Sequence, residues 1–82
     1  MSEAFIKKNV KLSLELDTYL AKHPDLFDAI PDGAYVVITI HGDEKFNSAS
    51  ISMVRNIKRN KLVEAHKAKD KWSLRPLKLQ IA

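Results

Sequence analysis

With 82 residues and no cysteine, the chain has room for one domain, residues 1–82, and cannot build a disulfide framework, a thiolate zinc site or a cysteine nucleophile. Hydrophobic residues at 45% and charged residues at 29% suit a folding domain; with no run of about 18 apolar residues, and with Glu3 early in the stretch Met1 to Lys11, a cytoplasmic protein without export signal or membrane span is expected. The net charge of +4 is uneven, with 4 basic and 6 acidic residues through His41 and 10 basic and 4 acidic from Gly42 onward, an asymmetry that fits either a polyanionic partner or a solubilising surface.

Residues 4–22 contain a short alternation at Val10, Leu12, Leu14 and Leu16, but Phe5, Leu12, Leu16, Tyr19 and Leu20 gather on one helical stripe. The wider pattern predicts an amphipathic helix. Val10 and Leu14 fall outside that stripe, among Lys7, Lys11, Asp17 and Thr18, and are candidate partner contacts. His23-Pro24 ends the helix, because the residue before proline is pushed out of the α region, and Pro24 opens a short helical turn through Ala29 anchored by Leu26, Phe27 and Ile30. Pro31-Asp32-Gly33 is a turn.

Ala34 to Ile40 is a β-branched and aromatic run with almost no polar interruption, as expected of a central strand covered on both faces. Gly42-Asp43 breaks it. Asp43 is placed as the N-cap of a second helix, with Glu44 in its first turn, Phe46, Ala49, Met53 and Ile57 on its stripe and Val54 at the edge. The pattern fades after Arg59, and Asn60 is suited to a left-handed C-terminal cap. A helix of about 16 residues is about 24 Å long, matching a seven-residue strand. Lys61 to Lys67 and Lys71 to Ile81 then read as two strands joined around Ala68-Lys69-Asp70 in an antiparallel hairpin. The rival reading is one helix continuing through Lys71; no helical stripe collects Leu62, Val63, Trp72 and Leu74. Pro76 makes the last strand an edge strand or a bulged one.

The expected fold is therefore α+β, a small two-layer α/β sandwich in the order α-β-α-β-β, with one right-handed βαβ unit followed by the hairpin. A three-stranded sheet is marginal at this size. That favours a homodimer formed through Val10 and Leu14 or through the edge carrying Leu77, Leu79 and Ile81.

Residues 12–37, LSLELDTYLAKHPDLFDAIPDGAYVV, resemble an uncharacterised family of small prokaryotic proteins with a Leu-Ser-Leu-Glu helix, a Tyr-Leu, a His-Pro, an Ile-Pro turn and a Val-Val strand. Leu12 to Leu16, Tyr19, Leu20, His23, Pro24, Ile30, Pro31, Val36 and Val37 carry the likeness. All but Ser13, Glu15 and His23 are fold-type positions, and the resemblance implies no activity, because the family has none assigned.

Catalytic chemistry has little to stand on. His23, His41 and His66 lack metal-ligand spacing; His23 suits a helix-end carbonyl contact, His66 a solvent-facing strand position, and His41, beside Asp43 and Glu44, is the one candidate acid or base. The strand end Ile40-His41-Gly42-Asp43-Glu44 lies where phosphate loops occur, yet offers one glycine and two carboxylates, which repel an anion. Ser48, Ser50 and Ser52 are expected on a helix surface. Neither cofactor nor metal is expected, and an enzyme is not. The basic cluster Arg55, Lys58, Arg59, Lys61, Lys67, Lys69, Lys71 and Arg75 is the candidate nucleic-acid contact, although Arg55, Lys58 and Arg59 also suit a helix C-terminus. Trp72 is read as a packing residue. The leading functional expectation is a non-catalytic protein-interaction or regulatory module acting as a small homodimer; the alternative is an RNA- or DNA-binding protein.

Overall fold

The structure is a computed structural model that describes residues 2–55 and 61–77. Its elements follow the order α-β-α-β-β with a short extra helical turn: α1 (Glu3–Lys22), α2 (Pro24–Asp28), β1 (Tyr35–Ile40), α3 (Glu44–Val54), β2 (Leu62–Ala68) and β3 (Lys71–Pro76). The fold is a small α+β domain with a three-stranded mixed sheet.

α1 starts where Ser2 accepts the Phe5 N–H at 3.1 Å, and Glu3 and Lys22 stand at the ends where the helix dipole favours their charges. Phe5, Leu12, Leu16 and Leu20 are buried, as their spacing predicts. At the far end His23 closes the helix twice: its N–H donates to the Leu20 carbonyl at 3.1 Å and its ring Nδ1–H to the Tyr19 carbonyl at 2.8 Å. The ring also stacks on Tyr19. Pro24 then opens α2, whose Leu26 packs on the core with Ile30. Phe27, expected as a third anchor, is 61% exposed, because a five-residue helix turns one side to the core and Leu26 occupies it. Pro31 to Ala34 form a turn closed by Ala34 N–H to the Pro31 carbonyl at 3.1 Å, with Gly33 supplying the positive φ of 78°.

The sheet order is β1-β2-β3. β1 runs parallel to β2, with Val36 opposite Val63 and Ile38 opposite Ala65; β2 runs antiparallel to β3, with Ala65 opposite Leu74 and Lys67 opposite Trp72. The hairpin is thus formed where one continuous helix was the rival. The central strand is β2, however, and β1 is an edge. Val37, Ile38 and Thr39 are all buried, so both faces of β1 are covered as its apolar run predicts; burial of faces carries no information about which backbone edge is paired.

Paired positions divide the sheet into two faces. Ile38, Ala65 and Trp72 lie on one, against Phe5, Leu12, Leu16 and Leu20 of α1 and Phe46 of α3, and this cluster is the core. The other carries Val37 and Thr39 from β1, Glu64 and His66 from β2, and Ser73 and Arg75 from β3.

α3 begins with the expected Asp43 cap, which accepts the Phe46 N–H at 3.1 Å, and its described residues end at the cap Arg55. Ile57, Lys58, Arg59 and Asn60, through which the helix was expected to run, lie outside the described residues. Its burial differs from the predicted stripe: Phe46, Ser50 and Val54 are buried, while Ala49 and Met53 are half-buried. The reason is its position. Asn47 accepts the Ile40 N–H at 2.7 Å and donates to the Ile40 carbonyl at 2.8 Å; since Tyr35 and His41 direct their N–H groups at β2, alternation turns those of Ile40 outward. α3 therefore starts along the outer edge of β1, and the side bearing Asn47, Ser50 and Val54 is enclosed. Ser50 is not the surface residue expected, and its hydroxyl has no hydrogen-bond partner among the described residues.

Candidate functional site

Three features of the described residues are not accounted for by core packing alone. The first is a polar cluster joining all three strands. Thr39 donates its hydroxyl proton to Glu64 Oε2 at 2.6 Å, and Arg75 grips the same carboxylate with Nε to Oε1 at 2.8 Å and Nη2 to Oε2 at 3.1 Å. The Arg75 hydrogen bond, then the Thr39 bond, then the nearby charges of Arg75 and His66 hold the Glu64 carboxyl below its ordinary value against the opposing effect of burial. Because the one Thr39 proton goes to Glu64, the 2.8 Å contact between Thr39 and His66 requires the imidazole to donate from Nδ1. His66 is thus a half-buried member of this cluster, not the solvent-facing residue expected. His41 meets it edge-on, ring centroids 6.2 Å apart. The acid or base role considered for His41 finds no support in Asp43, whose carboxylate is committed to Lys8 at 2.6 Å and to the Phe46 N–H; those two hydrogen bonds hold its pKa down.

The second feature is the distribution of cations. The basic cluster predicted from the C-terminal half does not converge. Lys67 lies on the core face, bonded to Glu15 at 2.5 Å and set 6.0 Å from the centroid of the buried Trp72 ring. Arg75 lies on the opposite face, engaged by Glu64. Arg55 caps α3, Lys61 precedes β2, Lys69 is in the hairpin turn and Lys71 opens β3; Lys58 and Arg59 lie outside the described residues. A different set does converge. Lys7, Lys8 and Lys11 of α1 meet Lys67 and Lys69 around a groove of about 620 Å³ that Leu12, Glu15 and Ile40 also line. Charge counting along the chain missed it, because three of these lysines belong to the half with the acidic balance.

The third feature is on α1. Ile6, Val10 and Leu14 are 48%, 53% and 63% exposed. They stand at i, i+4 and i+8, and so form one outward stripe along the helix. Ala21 continues it one further turn pair along and borders a shallow concavity of about 440 Å³ with Pro24 and Phe27. Val10 and Leu14 were predicted as contacts; Ile6, one turn earlier, was not singled out, although the same spacing reaches it. Of the edge residues also predicted, Leu77 is half-buried and its N–H donates to the Leu62 carbonyl at 2.9 Å. Leu79 and Ile81 lie outside the described residues.

No three His, Asp or Glu side chains among the described residues are grouped to hold a metal ion, and no helix of those residues is long and apolar enough to cross a membrane. A family model described as a family of unknown function, DUF5647, matches residues 4–70. The chain belongs to this family. The DUF5647 match contains the whole of the 12–37 segment, the α1 stripe, the five lysines of the groove, and Thr39, Glu64 and His66; β3, with Trp72 and Arg75, falls beyond it. No function is assigned to DUF5647 from which to carry over an activity. No curated protein and no solved structure matches the chain.

Proposed function

We propose that this chain is a non-catalytic cytoplasmic interaction module that pairs with a second copy of itself through the outer face of α1. The observation that carries this reading is the Ile6, Val10 and Leu14 stripe, three large aliphatic side chains each about half exposed or more on a helix whose opposite side is buried. A ladder at i, i+4 and i+8 is symmetric about its middle member. Two copies laid antiparallel across a two-fold axis at Val10 therefore set Ile6 against Leu14 twice and Val10 against itself, as a self-complementary interface requires.

Burying what remains exposed of each residue is worth about 1 kcal/mol. Six such residues contribute about 6 kcal/mol, equivalent to a dissociation constant of tens of micromolar before the cost of association is subtracted, so the stripe alone makes a weak pair and this value is its tight-binding limit. The nucleic-acid alternative has less support, since its expected contacts Lys67 and Arg75 lie on opposite faces and both are held by carboxylates.

Sedimentation velocity from about 5 to about 500 µM, a span chosen to bracket that affinity, tests the proposal. The wild-type chain is expected to shift toward a dimer with rising concentration, and the Val10→Lys, Leu14→Lys double variant to stay monomeric with an unchanged circular-dichroism spectrum. A wild-type chain that remains a monomer across the range overturns it.

A further inference from the structure

The lysine groove does not depend on pairing of α1 and has its own chemistry. We propose that it is a binding site for a small multivalent oxyanion of the oligophosphate kind.

Four observations bear on this. Five lysines from two separate parts of the chain, Lys7, Lys8 and Lys11 on α1, Lys67 at the end of β2 and Lys69 in the turn after it, line one groove. Neighbouring carboxylates neutralise only part of that charge: Glu3 pairs with Lys7, Asp43 with Lys8 and Glu15 with Lys67. Lys11 and Lys69 have no ion-pair partner among the described residues, and both are exposed.

The groove also opens at the carboxyl ends of the two parallel strands, at Ile40 of β1 and Lys67 of β2, where open sheets with parallel strands place their ligands. Leu12 and Ile40 are its apolar lining, Glu15, paired with Lys67, is the one carboxylate on it among the described residues, and apolar surface beneath like charges strengthens their field on an incoming anion.

The fourth observation is backbone strain. Lys69 has φ of 58° in the two-residue turn between β2 and β3, a left-handed conformation in which such turns favour glycine or asparagine. Glycine there would remove the strain but also the ammonium group. Holding a lysine in that conformation at the mouth of the groove is accounted for by a role for its charge.

The volume of about 620 Å³ suits a small molecule. No aromatic side chain lines the groove, and without a stacking platform single-stranded nucleic acid is disfavoured. Lysines also bind phosphate as point charges without the fork geometry of arginine, so recognition here is by charge density.

The test is a titration of the 82-residue chain with inorganic tripolyphosphate followed by amide NMR shifts, repeated with a duplex DNA oligomer. Saturable shifts are expected along Lys7 to Glu15, at Ile40 and at Lys67 to Lys69. The Lys11→Gln, Lys69→Gly double variant is expected to weaken binding at least tenfold. Glycine tolerates a φ of 58°, so the turn survives that change and the loss cannot be assigned to unfolding. The Lys45→Gln, Lys71→Gln double variant, with the same change in net charge off the groove, is expected to leave the affinity within twofold. Absence of saturable shifts, an equal loss in the off-groove variant, or tighter binding of duplex DNA through the same residues would each overturn the proposal.

Discussion

Replacing Thr39 with valine removes one hydroxyl from the centre of the polar cluster while keeping the shape of the side chain. Thr39 is 2% exposed, so water does not replace what is lost. The bond to the Glu64 carboxylate is charge-assisted, and such bonds contribute about 1.5–3 kcal/mol. Glu64 keeps both Arg75 contacts and remains ionised, and its Oε2, 3.7 Å from His66 Nδ1, stays beside the imidazole. The net cost of Thr39→Val at neutral pH is therefore about 2 kcal/mol.

Urea unfolding followed by the fluorescence of Trp72, the one tryptophan in the chain, measures it. With a urea slope of about 1 kcal/mol/M for a domain of this size, the midpoint falls by about 2 M. The pH dependence is a second check. Glu64 has its pKa lowered from 4.5 by Arg75 first and Thr39 second, so the stability it adds is fully present above about pH 4.5 and is lost as pH falls through the folded value. Once Glu64 is protonated in both states the Thr39 bond is between neutral groups, and the gap between wild type and Thr39→Val should shrink to about 1 kcal/mol. A gap below about 0.5 kcal/mol at pH 7, or one of the same size on both sides of that transition, would refute the assignment of Thr39 as a donor to an ionised carboxylate.

Asp43→Ala removes the cap of α3 together with the Lys8 contact; thermal unfolding should show a loss of about 1 kcal/mol, mostly from the cap. Leu16→Ala empties a position that is 5% exposed in the centre of α1, and a loss of about 2–5 kcal/mol is expected in the same urea assay, with values below about 1 kcal/mol contradicting its place in the core.

Much of the fold is written in local chemistry. Ser2, His23, Pro24, Gly33, Gly42 and Asp43 mark helix ends and turns because each solves a backbone problem that its neighbours cannot, and the stripe of Phe5, Leu12, Leu16 and Leu20 names its own buried face. What local chemistry does not encode is lateral placement. That β2 and not β1 is central, that α3 lies along an edge so that Val54 is more enclosed than Met53, and that Phe27 faces outward all depend on which elements become neighbours. The same limit governs the candidate sites. Val10 and Leu14 are legible because they break the pattern of their own helix. The groove is not, since Lys7, Lys8 and Lys11 are about 60 residues away from Lys67 and Lys69 along the chain, and the Glu64 cluster draws its four residues from three strands.

Asn47 has a consequence for how molecules of this protein behave in a crowd. An uncovered strand is a template on which another chain can add itself, and repeated addition leads to fibrils. By taking both backbone groups of Ile40, one carboxamide occupies a point at which such growth on β1 would begin, and it does so from a helix whose bulk an invading strand would have to displace. At that point the border of the sheet is guarded against polymerisation by an amide side chain.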